Sequence, residues 1–238
     1  MERDCLKKNI LGVTLARGGS KGIKYKNLLK INGKPLIYYT IKEAKKSKHL
    51  TNYIISTDDI KIQNISQKYK VDVPFLRPKN LAKDTSSSAS AIKHALIEAE
   101  KFFKIKFDFI VELMATNPLK TYLDIDNVIR ILLKKNADSV IAVNQLFDNH
   151  PARIKKIING KLYDFVVKEK LESRRQDLKP NAYIRSGSIY AMSRNFVLNE
   201  KRYESGKSYS YILPNERAIN IDSYDDLIIA KSKLSKIR

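Results

Sequence analysis

The first residues with chemistry in them fall between Ile10 and Asn27, ILGVTLARGGSKGIKYKN, where an apolar run gives way to a loop of glycines and cations. Gly18, Gly19 and Gly22 let the backbone turn tightly and bring its N–H groups against an anion. Arg17, Lys21, Lys24 and Lys26 add positive charge at the same place. Transferring a phosphoryl or nucleotidyl group needs donors held where negative charge builds up at phosphorus and the leaving oxygen, and Arg17 and Lys21 have that chemistry. The spacing is neither GxxxxGK[ST] nor GxGxxG. On residue types alone the loop reads as a phosphate cradle or as a glycine-rich turn with solvated lysines.

A second polar cluster, Asp84 to Ser88, sits where a long helix should start. Free N–H groups and hydroxyls at such a start serve either as an N-cap or as an anion contact. His150 stands without an obvious acid partner, so it reads as a structural hydrogen-bonder.

These groups need elements to hold them. Ile10 to Ala16 has the length and β-branched content of a buried strand, Asn52 to Thr57 is a second, and Phe107 to Leu113 is nearly continuously apolar, as a strand covered on both faces should be. Between them come a turn at Asn32–Pro35, a helix with Ile37, Ile41 and Ala44 at helical spacing, and a helix from Ile60 to Tyr69 that Asp58 or Asp59 could cap. Val71 to Arg77 reads as a short strand interrupted by Pro74. Ala91, Ile92, Ala95, Leu96 and Ala99 form the buried face of the long helix. Tyr122 to Lys135 is a further amphipathic helix and Ala137 to Val143 a further strand. Asn159-Gly160 between two short apolar runs is a strong hairpin signal, and Ala218 to Leu227 reads as a short strand entering a C-terminal helix. Alternating strands and helices predict an α/β fold with a mostly parallel central sheet, which binds ligands beyond its strand C-termini.

The chain has 238 residues, 43% of them hydrophobic, which suits a single large domain over 1–238 with a small insertion at about 144–185. One cysteine, Cys5, leaves no intrachain disulfide and favours a reducing compartment. No apolar stretch approaches the ~18 residues of a membrane span, so a cytoplasmic protein without membrane contact is expected. The net charge of +21 would suit either an anionic ligand or a nucleic acid. Lysines outnumber arginines 34 to 12 and are scattered, without a nucleic-acid-binding motif, so the small anionic ligand is preferred and no nucleic-acid partner is expected.

Five segments in order carry a resemblance: ARGGSKG with Lys26-Asn27, RPKNLAKDTSSS at Arg77–Ser88, MATNPLKT at Met114–Thr121, GSIYAM at Gly187–Met192, and AINIDSYDDL at Ala218–Leu227. Together they resemble the acylneuraminate cytidylyltransferases, the CMP-sialic acid synthetases and their relatives for other nonulosonic acids. The resemblance implies a three-layer αβα, Rossmann-like nucleotidyltransferase whose hairpin insertion packs into the partner of a homodimer. It implies the reaction of CTP with an acidic sugar to give CMP-sugar and pyrophosphate, for surface glycan synthesis. Arg17, Gly18, Gly19, Ser20, Lys21, Asn27, Arg77 and Ser88 would hold the nucleotide. Met114, in place of the family's usual glutamine, would meet the sugar together with Arg153, Arg175, Gln176 and Tyr190, the arginines pairing its carboxylate. Asp222 would be the principal ligand of Mg²⁺, while Asn220, where the family has a second aspartate, offers a neutral carbonyl at most. Ser186 stands where relatives often carry asparagine. Met114, Ser186 and Asn220 favour a sialic-acid analogue such as legionaminic or pseudaminic acid. The alternatives are 3-deoxy-manno-octulosonate and, from another class, a basic nucleic-acid-binding or regulatory module on the same fold.

Overall fold

The apolar run before the glycine-rich loop is strand β1 (Ile10–Leu15), buried in all but its last residue. The structure, a computed structural model, describes residues 8–19, 22–166, 174, 177–200 and 206–236. A two-residue turn joins β2 (Lys30–Ile31) to β3 (Lys34–Pro35), with Asn32 and Gly33 both at positive φ, as a type I′ turn demands. Helix α1 (Leu36–Ala44) starts directly after Pro35 and leads to β4 (Asn52–Ser56). Asp59 caps α2 (Ile60–Lys68) by accepting from the N–H groups of Lys61 and Ile62. Ser87 caps α3 (Ser88–Phe103), and β5 (Phe109–Leu113) comes next. A capping box of Thr121 and Asp124 opens α4 (Tyr122–Lys134) before β6 (Ser139–Leu146). The rest is β7 (Lys155–Ile158), β8 (Lys161–Asp164), β9 (Ala182–Ser193), α5 (Arg194–Leu198), β10 (Ser208–Ile212) and α6 (Tyr224–Lys236).

Six strands form one sheet in the order β10-β6-β9-β5-β1-β4. β9 runs antiparallel to β5 and β6, and the other pairings are parallel. Because strand side chains alternate, each strand feeds two cores. Leu11, Val13, Ile110, Tyr190 and Met192 pack against Ile92, Ala95 and Leu96 of α3 and Phe196 and Val197 of α5. Ile10, Val111, Leu113, Ile189 and Ala191 pack on the other face against Ile125, Val128, Ile129 and Leu132 of α4. Each fully buried Ile or Leu contributes roughly 1.5–3 kcal/mol. The result is the expected three-layer α/β fold with a mostly parallel sheet.

Three boundaries differ from the sequence expectation. Val71–Arg77 makes only two isolated pairings, at Asp72 and Leu76, because Pro74 between them has no N–H to give a ladder. Residues 218–222 form no strand: Ile221 N–H donates to Thr116 O and the chain then enters α6. The hairpin is there, β7 and β8 joined by Asn159 and Gly160 at positive φ, but the ends of the 144–185 segment belong to the main sheet. Asn144, Gln145 and Leu146 pair with Ile184, Tyr183 and Ala182, so long strands β6 and β9 carry the hairpin outward as an arm.

Candidate active site

β1, β4 and β5 are parallel, so the loops that leave their C-terminal ends gather at one end of the sheet, where open α/β sheets bind ligands. A cavity of about 630 Å³ opens there. Of the residues singled out in the sequence, Arg17, Asn27, Arg77, Ser88, Met114, Asn220 and Asp222 line it. They come from four of the five motif segments.

The glycine-rich loop is held by its surroundings. Asn27 is buried and its amide donates to Arg17 O at 3.1 Å, tying the two ends of the loop together. Gly18 N–H donates to Asp58 Oδ1 at 3.0 Å, and a Cβ on Gly18 would stand 2.6 Å from Asp59 Oδ2. The turn between β4 and α2 therefore presses on the loop at a point where only glycine fits. A Cβ on Gly22 would meet Asp222 O at 2.8 Å, which closes the other side. Gly19 is exposed with open space around it. Ser20 and Lys21 lie outside the described residues, as do Arg175 and Gln176.

Asp222 presents an exposed carboxylate to the cavity. Lys26 Nζ donates to its Oδ1 at 2.7 Å and to Ile221 O at 2.8 Å, and Asn220 Nδ2 lies 3.4 Å from its Oδ2. Asp222 does not cap α6. Ser223 Oγ accepts from Asp226 N–H, while Asp226 Oδ2 accepts from Asp222 N–H and Ser223 N–H. The Ser223 hydroxyl also donates to Asp226 Oδ2, and that bond first, then those from the two N–H groups, hold the Asp226 carboxyl below the ordinary aspartate range. Asp222 is thus left available to the cavity.

Arg77 is buried at the cavity wall, with Nη2 3.8 Å from Asp58 Oδ1 and Nε without a hydrogen-bond partner among the described residues. Burial lowers its pKa from the ordinary arginine value, and the charges of Asp58 and Glu112 work against that shift. Ser87, not Ser88, caps α3, so Ser88 opens the first turn and borders the cavity. On the opposite wall Met114 N–H is bound by Ser188 O, and Lys120 donates to Met114 O, Asn117 O and Thr40 Oγ1 at 2.6, 2.7 and 2.7 Å. Lys120 is buried and fixes the loop after β5; burial pushes its pKa down to about 7.

Two sequence candidates lie elsewhere. Tyr190 packs in the core between β5 and β6 and is not among the residues that line the cavity, although its partner across β5, Glu112, is. Arg153 is exposed at the foot of the arm, in a single turn before β7. Conversely, Lys26, Asp84 and Glu112 line the cavity, although the motifs assign them no contact there. Glu112 carries a signal: it is the one charge inside the apolar strand FIVEL, and it is buried. Asp84 carries none, being one polar residue in a polar run.

A nucleotide-sized cavity lined by cations and carboxylates, at the C-terminal ends of parallel strands, defines an α/β nucleotide-binding protein. The comparisons with known proteins narrow that class. The family model described as cytidylyltransferase matches residues 11–212, and the chain belongs to that family. It is 31% identical over 227 residues to the post-translational flagellin modification protein B of Campylobacter coli, covering 93% of each chain. It is 30% identical to the CMP-N,N'-diacetyllegionaminic acid synthase of Campylobacter jejuni, covering 95% of each. A pseudaminic acid cytidylyltransferase of the same species is 31% identical over 91% of this chain and 92% of its own. Among solved structures, a CMP:2-keto-3-deoxy-manno-octonic acid synthetase complexed with CTP superposes with a TM-score of 0.70 at 15% identity, over 97% of this chain and 100% of its own, which is a likeness of fold. The protein is a nucleotidyltransferase.

Proposed function

We propose that the chain transfers CMP from CTP to a nonulosonic acid of the sialic-acid type, releasing pyrophosphate, in the making of a surface glycan. The observation that carries this reading is the meeting of Arg17, Lys26, Arg77 and Asp222 in one cavity of a cytidylyltransferase. The names of its relatives favour legionaminic or pseudaminic acid over the eight-carbon acid. In this reading the anomeric hydroxyl oxygen bonds to the α-phosphorus as the bond to pyrophosphate breaks, and the hydroxyl's proton passes to water. Arg17, Lys21 and Lys26 meet the charge that grows on the leaving group. Gly18, Gly19, Ser20, Asn27, Arg77 and Ser88 set the nucleotide's place, and Met114 borders the sugar.

Mg²⁺ belongs to the proposal. The cavity offers the Asp222 carboxylate and the Asn220 amide, and among the described residues no group of three His, Cys, Asp or Glu could hold a metal. That donor set suits a cation that takes most of its ligands from phosphate oxygens and water. When bound, the ion supplies further neutralisation of phosphate charge.

The arm is proposed as the dimer contact. Ile157, Leu162 and Val166 are 73%, 66% and 78% exposed, an apolar surface that a second copy would cover. Arg153, Arg175 and Gln176 would meet the sugar, the two arginines pairing its carboxylate. Among the described residues no helix is long and apolar enough to cross a membrane. A cytoplasmic setting is part of the same proposal, supported by the single cysteine of the chain.

The test is pyrophosphate release from CTP and Mg²⁺ across a panel of nonulosonic acids, with UTP and ATP as controls. Release with CTP and one acid is expected. Silence throughout, without CTP binding, would overturn the reading.

A further inference from the structure

Arg17 and Asp84 stand on different walls of the cavity, one at the end of β1 and the other in the leader of α3, and both line it. Arg17 Nη1 lies 2.6 Å from Asp84 Oδ1, and the two side chains are 36% and 38% exposed. A carboxylate oxygen and a phosphate oxygen offer a guanidinium the same kind of acceptor. The nucleotide's phosphates and Asp84 therefore compete for one cation. We infer that Asp84 is an intramolecular counter-ion, bound to Arg17 until the phosphates of the nucleotide displace it. The inference rests on the proposed use of CTP and adds to it a residue that sets how tightly the polyphosphate is held.

The other cations at this end differ in how firmly they are tied. Lys26 holds Asp222 and also Ile221 O, so it is anchored to the chain as well as to a carboxylate. Arg77 is buried, and its nearest carboxylate is at 3.8 Å. Of these three cations, Arg17 is the one whose ion pair joins two walls through side chains both open to water, where such a pair is readily exchanged. Asp84 is also separate from the helix start: Ser87 makes the cap, and Ser86 Oγ bonds Asn80 O.

A displaced carboxylate beside bound phosphates opposes them, so Asp84 weakens the ground-state complex and eases release of pyrophosphate. It acts through Arg17 and is a positioning residue. The test is calorimetry on the full chain with Mg²⁺, measuring Kd for CTP and for CMP in wild type, Asp84→Asn, Asp84→Glu and Arg17→Ala backgrounds. Asp84→Asn should bind CTP about two- to fivefold tighter, the range set by an exposed ion pair. CMP affinity should not move, Asp84→Glu should restore the wild-type value, and the effect of Asp84→Asn should shrink once Arg17 is alanine. Inhibition by pyrophosphate should strengthen in parallel in Asp84→Asn. Equal or weaker CTP binding by Asp84→Asn would overturn the inference while leaving the proposed reaction intact. Failure of wild type to bind CTP would overturn both.

Discussion

The two halves of β9 serve regions built on opposite terms. From Ile189 to Ser193 the strand pairs with β5, and Ile189, Ala191 and Met192 are buried between the two helical layers. From Ala182 to Arg185 it pairs with β6 alone and runs out to the arm, where Tyr183 and Ile184 are 43% and 53% exposed. At the nucleotide end, cations and carboxylates of one chain answer one another, and the loops are bonded to the sheet behind them. The arm presents apolar side chains that no described residue covers. One end is built to exchange ions, and the other to lose water.

If that contrast holds, damage at the two places should separate into chemistry and assembly. Lys21→Ala should lower turnover by about 10²- to 10³-fold, the scale of losing one donor to developing charge, without a change in thermal unfolding. Turnover close to wild type would remove Lys21 from the reaction. Ile157→Lys with Leu162→Glu should halve the mass seen by sedimentation velocity while CTP binding stays as it was. A dimer that survives the pair of substitutions would place the interface elsewhere, and lost CTP binding would mean that the two ends are not separate.

The smallest effect concerns the support behind the site. Lys120 has its folded pKa lowered to about 7 from 10.5 by burial. Between those values the unfolded chain carries a proton that the folded chain lacks, so this group makes stability rise with pH across that window and contributes no slope below it. Unfolding by urea at about pH 7.5 and about pH 9.5 should show the rise in wild type and a smaller one in Lys120→Met. Equal slopes would mean that the buried ammonium keeps its proton throughout.

The periodicity of the sequence reveals the layers well, because alternation along β1, β5 and β9 and helical spacing in α3 and α4 are local facts about apolar residues. It reveals less wherever a partner far along the chain decides. Residues 218–222 look like a strand by composition, yet they are fixed by Thr116 O and by Lys26, both far away in sequence. The same holds at the site. Arg17, Asn27, Arg77 and Asp222 could be picked out because their motifs are distinctive. Asp84 acquires meaning only through Arg17, and Lys26, legible as a cation of the loop, gains its carboxylate partner only in the fold, contacts that no spacing rule anticipates. Tyr190 stands between the two cases: its motif position suggests a ligand contact, and in the fold it packs in the core beside Glu112, which lines the cavity.

The strand order also constrains the birth of the molecule. β9 lies between β5 and β6 but is made after both. At ~5–20 residues per second, synthesis from Leu146 to Ser193 takes about 2–10 s, and until it ends the middle of the sheet is missing. β6 waits that long, and β5 longer, with a hydrogen-bonding edge bare, while the apolar arm emerges from the ribosome. The nascent chain is most prone to mispairing in that interval, and β9, when it arrives, shuts both of those edges at once.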